Sequence, residues 1–458
     1  MPSPFLGIDI ASQALRAFQR ALDVTGHNIS NVNTPGYSRQ VTDFTEITPT
    51  TFFGTKVLAL GQGVGIDAVN RIRDAFLDAR MIAAQGDLGK STTLSDGLKQ
   101  VESAMNDTTG NGIGDALDQF FNAWSALASN PNDPATRVQV QQAGSLLAGK
   151  VRSAYQDLST LKAQQQASVT GTLDQIDQLT ATIADLNNQI RNKPTFGDVP
   201  NDLLDKRDQA IRELSGLVDI HTYDQSDGSV TITMNQLTLV DRGGARLIPR
   251  TFDTATGQLS DANGTYDVRG GKLAGVMQAV NTISGYQSQL DLLANTLRTQ
   301  VNSVHATGTN PLGTTGINFF NDANPQTGAI DFDLDPAIKA DAQAISSGAS
   351  GNPGDGGLAL SLSRLRDQTL AGLGGQTVSG YYTGLVSQIG RDASSSQTTG
   401  STQTAVVQQI DSQIQSASGV SLDDEMANML RFQRSYQAAA KVLSVFDQAT
   451  DDLIKMLP

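Results

Sequence analysis

Not one of the 458 residues is cysteine. That excludes disulfides, thiol nucleophiles and thiolate metal sites, and it leaves the compartment open, because a fold without disulfides works in any redox environment. Histidine is nearly as scarce. His27, His221 and His305 lie far apart in sequence, and none has a second ligand at metal-binding spacing. His221 falls in a β-branched stretch, where a satisfied structural role is expected of it. Aromatic residues are 5% of the chain and apolar residues 38%, a lean composition for a compact enzyme. Acids outnumber bases 46 to 32, giving a formal charge of −14. No basic cluster offsets this, so nucleic acid is disfavoured as a partner. No apolar run reaches the ~18 residues of a membrane helix, so no membrane insertion is expected. The first residues carry neither a basic leader nor a continuous apolar segment, and no cleaved signal peptide is expected.

Catalytic motifs are missing too. There is no Gly-x-Ser-x-Gly elbow and no His-Glu-x-x-His. Ala84-Gln85-Gly86-Asp87-Leu88-Gly89-Lys90-Ser91 resembles a phosphate loop, but the preceding residues Ala75 to Ala84 read as helix. Such a cradle needs a strand before it so that the amides converge on the anion. Asp331-x-Asp333-x-Asp335 starts like a calcium loop, yet Pro336 replaces the glycine of the sharp turn and Ala342 the bidentate glutamate. No catalytic group, cofactor or metal is expected.

What the chain does have is two patterned ends. Ile8, Ala11, Leu15, Phe18, Leu22, Thr25, Ile29 and Val32 alternate three- and four-residue steps, as the seam of a coiled coil does. Met429, Phe432, Tyr436, Ala439, Leu443, Phe446, Thr450, Leu453 and Leu457 repeat the pattern. Each stripe is too narrow to be buried alone, so the two ends pack on each other or on neighbouring subunits. Between them, Thr34-Pro35-Gly36-Tyr37 stops the first helix, with Gly36 suited to a type II turn. Extended chain follows to residue 71, with room for a hairpin. Helices are expected over 72–106 and 113–192, broken at Asn130-Pro131-Asn132-Asp133-Pro134, and from Asp205 to Val218. From Asp219 the period becomes two, and a small β insertion runs to Gly270-Gly271. Helix resumes from Leu273 to His305. A loop-rich stretch with a possible strand at Ile330–Leu334 leads to helices from Leu358 and Tyr381.

The expected fold is mainly α with a β insertion: an elongated multidomain rod whose discontinuous helical domains draw on both chain ends. Residues 1–40 and 418–458 would form a terminal coiled-coil domain. Residues 41–218 and 272–417 would form an elongated helical bundle, and 219–271 an outward-facing β domain.

Two long segments carry a resemblance. Residues Ala21 to Tyr37, reading ALDVTGHNISNVNTPGY, resemble the N-terminal signature of bacterial flagellar rod, hook and hook-associated proteins. Residues Ser418 to Asn428, followed by Phe432-Gln433-x-Ser435-Tyr436-Gln437-Ala438-Ala439-Ala440-Lys441, resemble the C-terminal one. Ser38-Arg39-Gln40 and Phe432-Gln433 favour the hook–filament junction members. Asn130-Pro131-x-Asp133-Pro134-Ala135 and Asn201-Asp202-Leu203-Leu204-Asp205-x-Arg207-Asp208 match inside the chain. The resemblance implies a non-catalytic axial subunit outside the cell, exported without a cleaved signal, that self-assembles in a ring or tube. It implies hook protein on the proximal side and a filament-side hook-associated protein on the distal side. It also implies a cytoplasmic export chaperone on the C-terminal helix. Under this reading Ile8, Ala11, Leu15, Phe18, Leu22, Ile29 and Val32 serve subunit packing. Met429, Phe432, Tyr436, Ala439, Leu443, Phe446, Leu453 and Leu457 serve packing and chaperone binding, and Asn33, Thr34, Pro35, Gly36 and Tyr37 form the motif turn. The alternatives are another hook or rod component, a secreted coiled-coil adhesin or effector, and an enzyme with its site hidden in 306–357.

Overall fold

The computed structural model describes residues 6–48, 50–52, 58–105, 112–192, 200–322, 328–350 and 352–455. Helix α1 (Leu6–Ser30) is followed by strands β1 (Gln40–Glu46), β2 (Thr50–Phe52), β3 (Leu58–Leu60) and β4 (Val64–Arg71). Helices α2 (Ala75–Ala104), α3 (Ile113–Ser129), α4 (Pro134–Arg191) and α5 (Asn201–Leu217) come next. Strands β5 (His221–Asp224), β6 (Val230–Met234), β7 (Leu237–Asp241) and β8 (Gly244–Ala245) precede β9 (Thr251–Asp253), β10 (Gln258–Asp261) and β11 (Gly264–Asp267). The chain ends in α6 (Gly271–His305), the short α7 (Pro336–Ala340) and α8 (Gly357–Arg364), then α9 (Val378–Ser418) and α10 (Leu422–Lys455). The fold is mainly α with small antiparallel sheets.

The chain divides into two compact units. One comprises Met1–Leu88, Asp174–Ile248 and Gln403–Pro458, the other Gly89–Leu173 and Pro249–Thr402. Three of the four cuts fall inside α2, α4 and α9, and the fourth lies between β8 and β9. The expected β insertion over 219–271 is therefore not one domain: β5–β8 form one four-stranded sheet and β9–β11 a separate three-stranded one, and the two belong to different units. The reason lies in their anchors. On β6, Val230 exchanges two hydrogen bonds with Asn187 of α4, while Gly228 O accepts from Arg207 of α5. The strand expected at Ile330–Leu334 is reduced to one bridge, between Phe320 and Leu334.

In the second unit, α3 places Ile113, Ala116, Leu117, Phe120, Phe121, Trp124 and Leu127 on one stripe, all buried. They meet Leu147 and Val151 of α4, Leu290 and Leu297 of α6, Leu358 of α8, and Phe319, Phe320 and Phe332 from the loops. The rings interlock, with Phe320 and Phe332 at 4.4 Å and Trp124 and Phe319 at 5.2 Å between centroids. A second layer joins Leu98 and Val101 of α2, Leu158 of α4, Ile283 and Tyr286 of α6, and Leu385 and Ile389 of α9.

Gly275 shows how close α6 runs to α2: a Cβ there would sit 2.5 Å from the Lys90 carbonyl oxygen. Gly285, on the same helix, has open space around it. Gly275→Ala should therefore destabilise by about 1–3 kcal/mol through overpacking. Gly285→Ala should stabilise by about 0.5–1 kcal/mol through helix propensity. Urea denaturation of the two variants checks the opposite signs.

In the first unit, β1 and β4 pair antiparallel from Gln40↔Arg71 to Glu46↔Val64, with an irregularity between Asp43 and Phe44. The hairpin lies on α1, and Ala17, Ala21, Val24 and Asn28 of that helix are buried. Small side chains let a strand approach a helix closely, which is why this face is rich in alanine. Met81 and Ala84 of α2 pack on Ile410 of α9. Residues 84–91 are all helical, so the phosphate-loop resemblance has no loop to act through.

Candidate functional site

The helix stop forms as a β-turn. Tyr37 N donates to Thr34 O at 3.2 Å, and Gly36 between them has φ 79°. In that left-handed region glycine is favoured. Asn33, Thr34 and Pro35 are exposed. The turn delivers the Tyr37 hydroxyl to Asn28 Oδ1 at 2.7 Å.

Asn28 is the hub. It is 1% exposed. Its Oδ1 also accepts from Gln40 N at 3.0 Å, while its Nδ2 donates to Gln40 O at 2.8 Å and to Glu425 Oε2 at 3.0 Å. Glu425, in the first turn of α10, is 2% exposed, and its other oxygen takes Arg39 Nε at 2.7 Å. The Arg39 N–H donates to Ser418 O at the end of α9. A buried carboxylate is tolerable only when charged and neutral donors replace water, and Arg39 and Asn28 do so here. Burial, with the negative charges of Asp205, Asp202 and Glu425 nearby, pushes the Tyr37 phenol well above its usual range, so it stays a donor.

Helix α5 adds the third arm. Asn201 Nδ2 donates to Val69 O at 2.8 Å. Asp205 accepts from Ser38 N and from Arg71, and Asp208 accepts from Arg71 and Arg73. Arg73 also pairs with Asp78 at 2.5 Å. Asn28 and Tyr37 of the first terminal signature, Glu425 of the second, and Asn201, Asp205 and Asp208 of the 201–208 motif thus converge on one clamp. Asn28, Arg39, Gln40, Glu425, Asn201, Asp205 and Asp208 stand in the terminal and 201–208 motifs, whereas Arg71, Arg73 and Asp78 stand outside them. The signal was their type: Asn, Glu, Arg and Asp standing in or beside apolar periodic runs, where solvent would be the ordinary destination.

Beyond the clamp, α1 and α10 run antiparallel. Phe446 covers Gly7, where a Cβ would meet the ring at 2.4 Å, and Glu425 faces Asn28. Going from Gly7 to Asn28 and from Phe446 back to Glu425 spans the same three heptads. Phe44 of the hairpin bridges Phe18 and Phe432, at 6.0 and 5.8 Å between centroids. Of the residues expected on the first seam, Ala11 is buried; Ile8, Leu15, Phe18, Leu22, Ile29 and Val32 are half-buried. On the second, Ala439 is buried, Met429, Phe432, Tyr436 and Leu443 are half-buried, and Phe446 is 42% exposed. The Leu453 side chain and Leu457 lie outside the described residues. On the face of α10 turned away from α1, Met426 is 56%, Leu430 58% and Val445 56% exposed. Arg434 and Lys441 share this face.

The other candidates resolve into structural roles. Asp331 takes Arg298 at 2.8 Å, and Asp333 takes Arg152 and Lys339. Two of the three calcium-like carboxylates are thus matched by cationic side chains, and the third, Asp335, caps α7 by accepting from Ala337 N. In the loop-rich stretch, Asn302 binds the backbone of Phe319 and Phe320, and Asn310 that of Leu312 and Thr314. His305 has Nδ1 2.7 Å from Ile317 O, while its Nε2 accepts from Ser346 N at 3.0 Å. The structural histidine is this one; His221 is exposed at the start of β5. Among the described residues no group of three or more His, Asp or Glu side chains is placed to hold a metal ion. No described helix is long and apolar enough to cross a membrane.

Comparison with known proteins bears on the same segments. Residues 98–320 match the helical domain of flagellar hook-associated protein FlgK, residues 8–37 the flagella basal body rod protein family, and residues 411–456 the C-terminal family of flagellar basal body rod FlgEFG proteins. Flagellar hook-associated protein 1 of Bacillus subtilis (strain 168) is 28% identical over 99% of this chain and 98% of its own. That of Escherichia coli (strain K12) is 26% identical over 98% and 99%. The solved flagellar hook junction protein FlgK from Burkholderia pseudomallei superposes with a TM-score of 0.64 at 18% identity, covering 74% of this chain and all of the other, and so shares its fold. Over nearly its whole length the chain is thus similar to flagellar hook-associated protein 1, with a shared fold and with both terminal signatures joined in one clamp.

Proposed function

We propose that this chain is a structural, non-catalytic subunit of the flagellum that polymerises between hook and filament through its terminal helices. The observation that carries the reading is the clamped antiparallel pair of chain ends, whose α10 leaves Met426, Leu430 and Val445 uncovered on its far side. Such a stripe on a single chain calls for a neighbour. In a tube, heterologous contacts repeat without closing, so one uncovered face per subunit suffices. Segments 1–40 and 418–458 would then be the assembly domain, with hook protein proximal and a filament-side hook-associated protein distal. Asn28, Arg39 and Glu425 at the centre of the clamp bond to one another and to backbone, which supports a structural reading over an enzymatic one.

Before export the stripe needs cover, and an export chaperone with an apolar groove would supply it on α10. Leu430 and Val445, on that uncovered face, are the anchors that test this. Their double replacement by Ala should remove about 2 kcal/mol or more each at an interface. Chaperone binding measured by calorimetry, and filaments counted on cells carrying the variant, should both be lost, with hooks retained. Retained chaperone affinity with filaments lost would confine the two side chains to subunit packing. Normal filaments would contradict the assembly reading.

A further inference from the structure

We infer that the buried Glu425 carboxylate fixes the heptad register of α10 against α1. The apolar seam cannot do this alone. A slip of one heptad would move Phe446 from Gly7 to Ala14, where its exposed ring need only swing aside for one methyl, and its other partners would again be apolar. A narrow periodic stripe is degenerate in this way, and single buried polar groups are what fix register in helix pairs.

Two buried polar groups with one another as partners lie at the clamp end of this pair. Asn28 and Glu425 are 1% and 2% exposed and meet at 3.0 Å. One heptad of slip would set Glu425 against Ala21, or beyond the end of α1. The carboxylate would lose Asn28 and, because Arg39 moves with the α1 side of the pair, Arg39 as well. An ionised carboxylate facing a methyl group is far less favourable than an apolar side chain in the same place. The Arg39 N–H bond to Ser418 O, one of the free carbonyls at the C-terminal end of α9, acts at the same junction and is kept in every Glu425 variant. The carboxylate occurs at one position. The inference concerns contacts within one chain and holds wherever in the flagellum the subunit sits.

The absence of native cysteine makes register directly measurable, since introduced pairs cross-link without background. In the full-length monomer, the pair Gly7→Cys and Phe446→Cys reports the observed register. The pairs Ala14→Cys with Phe432→Cys, and Ala14→Cys with Phe446→Cys, report one-heptad slips in either direction. With Glu425 present, the observed-register pair should outyield both slipped pairs by about tenfold or more, as expected where one buried polar contact sets alignment. In Glu425→Leu a slipped pair should rise to a comparable yield while far-UV circular dichroism keeps its helical signal. Glu425→Gln, which keeps an acceptor for Asn28, should hold the observed register. Glu425→Met is the second apolar variant, needed if the leucine is not accommodated. Slipped pairs that stay at background in a helical Leu or Met variant would overturn the inference. So would loss of helix in both apolar variants with helix kept in Glu425→Gln, since the carboxylate would then serve folding of the clamp and not its register.

Discussion

Asn28→Ala should lower the free energy of unfolding by about 3–5 kcal/mol, the range for breaking a buried, charge-containing network by deleting one partner. Four hydrogen bonds leave with the carboxamide, to Tyr37, to both backbone groups of Gln40 and to Glu425. What remains is worse than what is removed: Gln40 keeps a buried N–H without its acceptor, and Glu425 keeps its charge with Arg39 alone. Tyr37→Phe removes one neutral donor from the same hub and should cost only about 1 kcal/mol. Urea denaturation followed by far-UV circular dichroism ranks the two. A loss below about 1 kcal/mol in Asn28→Ala would mean that the clamp is held by its apolar surroundings, not by its polar centre.

The second large effect is on pH. Burial pushes the His305 imidazole down from 6.5 to about 4, against the pull of its bond to Ile317 O, with Arg137 adding in the downward direction. The geometry agrees, because Nε2 must be unprotonated to accept from Ser346 N. The unfolded chain binds a proton near pH 6.5 that the folded chain refuses until about pH 4. Stability from this group is therefore whole above 6.5 and falls steadily to its minimum near 4. The difference of about 2.5 pH units corresponds to about 3 kcal/mol. Trp124 has its ring 6.0 Å from His305 and is the sole tryptophan, so its fluorescence reports the transition directly. His305→Gln, which offers a donor and an acceptor without titrating, should be less sensitive to pH across this window than the wild type. An equal slope in both would remove His305 as the cause.

The parts legible in the sequence were those governed by local periodicity. Trp124 and its neighbours on α3 announce a buried stripe by spacing alone, and Pro35-Gly36 announces its turn by backbone preference. The break at Asn130–Pro134 separates α3 from α4 as expected. Periodicity says which face is apolar but not what lies against it. On α1 the buried residues include Ala17, Ala21, Val24 and Asn28 on the hairpin side, beside the seam that heptad spacing picks out. The Asn28–Glu425 contact joins residues 397 apart, and no local rule reaches that far. By sequence pattern β9 to β11 merge into one insertion with β5 to β8 because their own signals are weak. Asp253, Asp261 and Asp267 stand in three short strands with only Leu259 buried, and composition there reads as loop. The role of His305 is illegible in the sequence for a related reason: its partners at Ile317 and Ser346 are backbone groups of two loops, which carry no sequence signature.

The account stands or falls on where the subunit sits. Hook–filament structures isolated from cells that make the protein, labelled with a gold-conjugated antibody against it and viewed by electron microscopy, decide this. The account predicts label confined to a narrow band at the junction of hook and filament. Label along the hook, in the rod, or on the cell surface away from flagella would contradict it.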